Sequence, residues 1–525
     1  MSSDASTLPF PETPVGGASA GSRRRFSGRP ADALARTSTD VRVGALVLVV
    51  ILACSLFVVV MAADRPSILS PTTHTGFFPQ WMAGPLGGAW PGLTSNSNTL
   101  KYLFSGAIVA MYAAYLAGLA YLPRLPARWT IAAIVAVHGI FFLAPPLALT
   151  DLFNYINYGR MEVVHHLNPY TTIPILEPHN DPSYALSNWH ELLSPYGPLF
   201  TLLTFAVVPI GVVASFWVLK GLLALTSLAT IFLVWKCARL LGRDPVAAIV
   251  LVGLNPIVLV WGLGGDHNDF LMVMFIMLGF YLLLRARTGV ETRVAQADGS
   301  WTGARLGERL RGWLLPLSTL EIGAGAAFVT AAAIKASGAV LIPVVLAGLL
   351  RTPRRLTHVV LGMAAASILV AAFSLIAFGL HLPDLSTQSR LVTSVSVPNL
   401  IGLALGQGGE TETLHTVLSG VLIASVLACC VQAWRRRSAI TASGWANVAL
   451  LVTLSWVLPW YVLWVLPLAA LSSSRRLKAA ALVLGVYMII AWAPASGFLW
   501  NAIGFHPEKT AIGRLHQRAV KELLN

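Results

Sequence analysis

The stretch TDLFNYINYGRMEVVHHLNP, Thr150–Pro169, decides how this chain is read. It follows directly on a long apolar segment that ends near Ala148. An acid, Asp151, therefore stands where a hydrophobic helix leaves a membrane. Aromatics, amides, Arg160, His165 and His166 come after it. A helix end that only meets lipid needs none of this chemistry, whereas a site at the membrane surface does.

The rest of the composition agrees with a membrane setting. The 525 residues are 56% hydrophobic and 11% charged, against about 25% charged in a soluble domain. Several apolar runs reach or approach the roughly 20 residues that cross a bilayer. The chain is read as an all-α, polytopic transmembrane bundle. A net charge of +14 could suit nucleic acid, but most Lys and Arg lie in short patches between spans, as the positive-inside rule expects. Nucleic acid is therefore excluded as a partner and membrane lipids are expected. Cys54, Cys237, Cys429 and Cys430 sit in or beside apolar runs without metal-ligand spacing. The run starting near Val43 is too long for a signal h-region and reads as a first span.

Working outward, residues 1–41 form a basic tail without hydrophobic period, expected to be disordered and cytoplasmic. Residues 42–495 form the transmembrane domain and 496–525 a C-terminal tail. Thirteen spans are expected, near 43–63, 101–121, 129–149, 216–236, 245–263, 269–284, 315–333, 338–350, 357–379, 415–434, 443–459, 461–473 and 477–495. Residues 198–214 contain Pro209 and Gly211. As a span they would put the Lys236, Arg239 and Arg243 end of the next helix outside, so they are read as an interfacial or re-entrant helix. The N-terminus then lies in the cytoplasm and Asp151 on the outer face of the plasma membrane. The basic C-terminal tail also falls outside, against the charge bias.

With this topology the unusual polar groups share one face. Asp151, Asn154, Tyr155, Tyr158, Arg160, Asn168 and Tyr170 open the first large outer loop, and Trp189, His190 and Tyr196 close it. Asp266, His267, Asn268 and Asp269 form the next outer turn, followed by Lys335, Arg390, Trp460 and Tyr461. Asp151 suits a general base that takes a proton from an attacking hydroxyl; it also suits a helix cap, and the two roles are compatible. Arg160 and Lys335 suit anion binding, Arg through its planar fork. The competing roles are an Arg160 ion pair with Glu162 and snorkelling of Lys335. Tyr155, Tyr158, Asn168, Tyr170, Tyr196, Asp266, His267, Asn268, Asp269, Trp460 and Tyr461 are candidate substrate contacts. Their aromatics equally suit the interfacial belt. The Asp-His-Asn-Asp spacing is too generic for a metal site, so neither a metal nor another cofactor is expected.

The order TDLFNYINYGRMEVVHHLNPY, SPYGPLF, NPIVLVWGLGGDHNDFLM, Lys335 followed by an apolar run, and PWYVLWVLP resembles the actinobacterial polyprenol-phosphate-mannose-dependent α-1,6-mannosyltransferases of the GT-C superfamily. The resemblance covers about residues 100–495. It implies a GT-C bundle with interfacial helices in the first large outer loop. It implies a polyprenyl-phosphate-linked mannose donor, inversion at the sugar carbon and a glycan or glycolipid acceptor. It places the base at Asp151 and the YGR segment at Arg160. Relatives often carry His-Asn-Glu where this chain has His267-Asn268-Asp269, so Asp269 stands in for that acid. Outside the resemblance, a lipid-linked-sugar flippase and a non-catalytic binding protein stay open, as do arabinose and glucose as the sugar.

Overall fold

In a computed structural model the described residues are 30–64, 80–90, 97–147, 151–297, 318–384, 391–436, 438–502, 504–506, 509–510 and 513–514; within these, side chains of 30–37, 64, 80, 97–98 and 288–297 are not described. The described chain is helical, without a strand. Helix α1 (Pro30–Asp64) already begins inside the stretch expected to be a disordered tail. Residues 1–29 lie outside the described residues. The earlier start has a local cause: PADALARTSTDV places Pro in the first turn, ahead of good helix formers.

Helices α2 (Ser97–Tyr121), α3 (Ala127–Phe142) and α4 (Asp151–His165) follow. Next come α5 (Pro198–Val207), α6 (Val212–Leu240), α7 (Pro245–Gly253), α8 (Asp269–Ala297) and α9 (Thr319–Ile334). The remainder is α10 (Leu341–Leu349), α11 (Pro353–Phe378), α12 (Val397–Ala404), α13 (Glu412–Arg436), α14 (Ala439–Thr453), α15 (Leu466–Leu471), α16 (Arg475–Trp492) and α17 (Ser496–Ala502). Among the described residues six helices are long and apolar enough to cross a membrane alone, or seven if the bent α16–α17 pair is one span. The 89° bend between α16 and α17 means that the expected C-terminal tail begins as a helix. Other expected spans are shorter apolar helices. A 16-residue helix such as α3 or α9 is about 24 Å long at 1.5 Å per residue, less than the roughly 30 Å hydrocarbon core. Residues 198–210 form one of these short helices, α5 with a 3-10 turn after it.

Three local features position the site. Helix α4 is polar yet buried from Asp151 to Gly159, because α5 lies close against it; a Cβ on Gly159 would sit 2.9 Å from Thr204 Oγ1. Gly197, just before α5, donates its N–H to Ile334 O at 3.0 Å. A Cβ there would lie 2.1 Å from Ala333 O, so only glycine fits. This contact pins the outer loop to the end of α9, one residue from Lys335. Between α7 and α8, Asn255 Oδ1 accepts N–H bonds from Ile257 and Val258. A π-helical turn, Val258–Leu263, follows. Asp266 then adopts a left-handed φ of 55°, a conformation that Asp tolerates better than most residues. The turn delivers Asp266, His267, Asn268 and Asp269 in succession, all buried.

Candidate active site

A cavity of about 220 Å³ lies where these elements meet. Its wall includes Asp151 from α4, Trp189 and Tyr196 from the loop between α4 and α5, and Lys335 after α9. Trp456, Trp460, Tyr461 and Trp464 close it. The indole N–H groups of Trp189 and Trp460 are buried without a hydrogen-bond partner among the described residues. Two unused donors in an aromatic wall suit a ligand with several hydroxyls, since buried donors ordinarily find partners.

Each acid around the cavity has its own basic partner. Asp151 Oδ2 lies 2.9 Å from His267 Nδ1; the His267 side chain is 1% exposed and that of Asp151 is 11%. The His267 ring stacks on Trp460, with centroids 3.4 Å apart and planes at 9°. Asp269 Oδ2 accepts from Lys335 Nζ at 2.8 Å and its Oδ1 accepts from Trp464 Nε1 at 2.6 Å. Lys335 also lies 5.0 Å from the Tyr461 ring centre, at cation–π distance. Asp266 Oδ2 accepts from Lys220 Nζ at 3.0 Å, both side chains being 1% exposed. The arrangement holds one carboxylate, Asp151, and one ammonium, Lys335, at the wall of the same cavity. A proton acceptor and a stabiliser of developing negative charge are thus available to one ligand. Among the described residues no group of three or more His, Cys, Asp or Glu is arranged to hold a metal ion.

The structure brings Asp151, Tyr196, Lys335, Trp460 and Tyr461 to the cavity and the Asp266–Asp269 turn behind it. It sends Arg160 elsewhere. The Arg160 guanidinium makes a fork to both oxygens of Asp181 at 2.9–3.1 Å, and His165 Nε2 reaches the same acid at 2.7 Å. Burial pushes the Asp181 carboxyl up, but Arg160, Ser183 and His165 outweigh it and hold it well below the usual range. Arg160 therefore braces the 166–197 loop through Asp181, not through Glu162, and it does not line the cavity. Asn168 and Tyr170 brace that loop too: Asn168 Nδ2 donates to Phe378 O, and Tyr170 Oη donates to Tyr196 O. Tyr158 Oη donates to Leu192 O, and Tyr155 Oη accepts from Asn268 N. The Asn268 side-chain amide is buried without a partner among the described residues. Arg390 lies outside the described residues.

Sequence reasoning missed Lys220, Trp456 and Trp464. The signal for Lys220 was present: it interrupts the apolar run SFWVLKGLLAL, and a charge there is costly without a partner.

A family model described as alpha-(1->6)-mannopyranosyltransferase, N-terminal domain, matches residues 41–351. The chain belongs to this mannopyranosyltransferase family. The MptB C-terminal domain model matches residues 392–508. The chain is 28% identical to alpha-(1->6)-mannopyranosyltransferase A of Mycobacterium tuberculosis over 392 residues, 68% of each chain. It is 26% identical to alpha-(1->6)-mannopyranosyltransferase B of Corynebacterium glutamicum over 362 residues, 62% of this chain and 56% of that one. No solved structure matches. In this chain Asp151 and Lys335 come from the first matched region and Trp460, Tyr461 and Trp464 from the second. The cavity is built by both.

Proposed function

We propose that the chain transfers mannose from a polyprenyl-phosphate donor to a hydroxyl of a cell-envelope glycan or glycolipid, with inversion and an α-1,6 linkage. The observation that carries this reading is the shared cavity of Asp151 and Lys335. Family membership and the relatives' names support mannosyl transfer. The lipid donor is supported by an apolar groove of about 460 Å³ among α5, α6, α8 and α9, lined by Leu199, Leu203, Leu225, Met274, Phe275 and Ile334. Ile334 lies in that groove and the next residue, Lys335, at the cavity. A polyprenyl chain in the groove would place its phosphate beside the ammonium.

In the proposed reaction Asp151 takes the proton of the acceptor hydroxyl. The oxygen attacks the anomeric carbon opposite the phosphate, the new carbon–oxygen bond forms, and the bond to the phosphate oxygen breaks. Lys335 stabilises the charge on the departing phosphate. His267 holds the Asp151 carboxylate in place. The indoles of Trp189 and Trp460 offer a stacking wall and hydrogen bonds to sugar hydroxyls. No resident metal or cofactor is invoked, because Lys335 supplies the cationic charge. The cavity is proposed on the extracytoplasmic face of a thirteen-pass plasma-membrane protein whose N-terminus is cytoplasmic. The charge bias supports that orientation.

The test is transfer of labelled mannose from polyprenyl-phosphate-mannose in membranes carrying wild type or Asp151→Asn at equal protein level. A loss of at least about 100-fold supports a general base. Activity that survives the substitution removes Asp151 from that role.

A further inference from the structure

At the opposite end of the bundle from Asp151, a second recess of about 390 Å³ opens between helix ends. Arg243, in the turn between α6 and α7, and Lys478, in the first turn of α16, both line it. Neither cation has an ion-pair partner among the described residues, and Arg243 Nε is buried without a hydrogen bond. Asp244 also lines the recess, but its Oδ1 accepts the N–H groups of Val246 and Ala247 and caps α7. Leu119, Leu251 and Leu482 supply apolar wall. Two neighbouring cations beside apolar wall at a membrane boundary call for an anion with a hydrocarbon portion. Two cations against the single acid Asp244 leave the recess net positive, and basic pockets between membrane helices take anionic headgroups.

We infer that this recess binds the phosphate of an anionic phospholipid, its acyl chains lying over Leu119, Leu251 and Leu482. The phosphate bridges Arg243 and Lys478, which are far apart in sequence. The site is separate from the mannosyl-transfer cavity, and its occupancy does not depend on the proposed reaction.

Native mass spectrometry of the full chain in detergent, with equal phosphatidylglycerol and phosphatidylcholine, tests this. Wild type is expected to retain phosphatidylglycerol over phosphatidylcholine by on the order of tenfold. The Arg243→Gln/Lys478→Gln variant should fall to near parity, and each single substitution part of the way. Arg243→Lys/Lys478→Arg, which keeps both charges, should keep most of the preference. Arg435→Gln/Arg436→Gln, elsewhere on the basic face, should keep all of it. Equal retention by wild type, or an undiminished preference in the Arg243/Lys478 variant, overturns the proposal. Displacement of the lipid by millimolar inorganic phosphate overturns the lipid assignment in favour of a free anion.

Discussion

His267 reaches Asp151 through one ring nitrogen, at 2.9 Å, while its ring lies flat on Trp460. The imidazole is therefore fixed by packing before it fixes the carboxylate. Its other nitrogen is buried and unpartnered among the described residues. If His267 acts through Asp151, as proposed, removing it should leave substrate binding nearly intact. For His267→Ala we expect kcat to fall by about ten- to a hundredfold, less than for Asp151→Asn, with KM little changed. Steady-state kinetics on both variants measures this; an equal effect on KM would mean that His267 contacts substrate.

Lys335 is held by Asp269 and by the faces of Tyr461 and Trp464. Lys335→Gln removes the charge proposed to meet the departing phosphate. Its kcat should fall by about 100- to 1000-fold, with Lys335→Arg recovering part of the loss. A variant that raises KM alone would show Lys335 to bind the donor without stabilising the reaction.

Lys220 and Asp266 form a pair with both side chains 1% exposed. Lys220→Met leaves a buried carboxylate uncompensated and should destabilise the protein by about 3–5 kcal/mol. Adding Asp266→Asn should return much of that loss, because Asn tolerates the left-handed φ at 266 as well as Asp. Thermal unfolding in detergent measures both steps, and additive losses in the double variant would contradict the pairing.

Glu177 lies in the 166–197 loop with both carboxylate oxygens buried and Asn157 its near polar neighbour. Burial pushes its pKa from 4.5 up to about 7, and Asp181 adds to the rise, while Asn157 and Arg160 oppose it. The folded state thus holds the proton more tightly than the unfolded state. Stability from this residue is fully present below about pH 4.5 and is lost as pH rises through about 7. Glu177→Gln should raise the unfolding temperature at pH 8 and change it little at pH 4.5. An equal difference at both pH values would rule out titration as the cause.

Much of this site was legible in the sequence because ionisable residues beside apolar runs stand out. Asp151, the Asp266–Asp269 turn and Lys335 were singled out that way, and the structure brings them together. The Arg160 fork to Asp181 was not foreseen. Asp181 comes 21 residues later in an irregular loop, where no helical or strand period foretells contact. Lys220 went unread because its partner lies 46 residues away across two helices. The short apolar helices blur span boundaries for a related reason: hydropathy records composition, whereas their ends are set by the π turn, the 3-10 turns and Pro-led starts.

The Lys220–Asp266 and Asp269–Lys335 pairs also fix an order of events at the translocon. The partners are separated by 46 and 66 residues. At about 5–20 residues per second, Asp266 leaves the ribosome on the order of 2–9 s after Lys220, and Lys335 about 3–13 s after Asp269. Neither ion pair can close until its later member has been synthesised. A chain stopped between α6 and the end of α9 would therefore hold a buried-site charge whose counter-charge is not yet made.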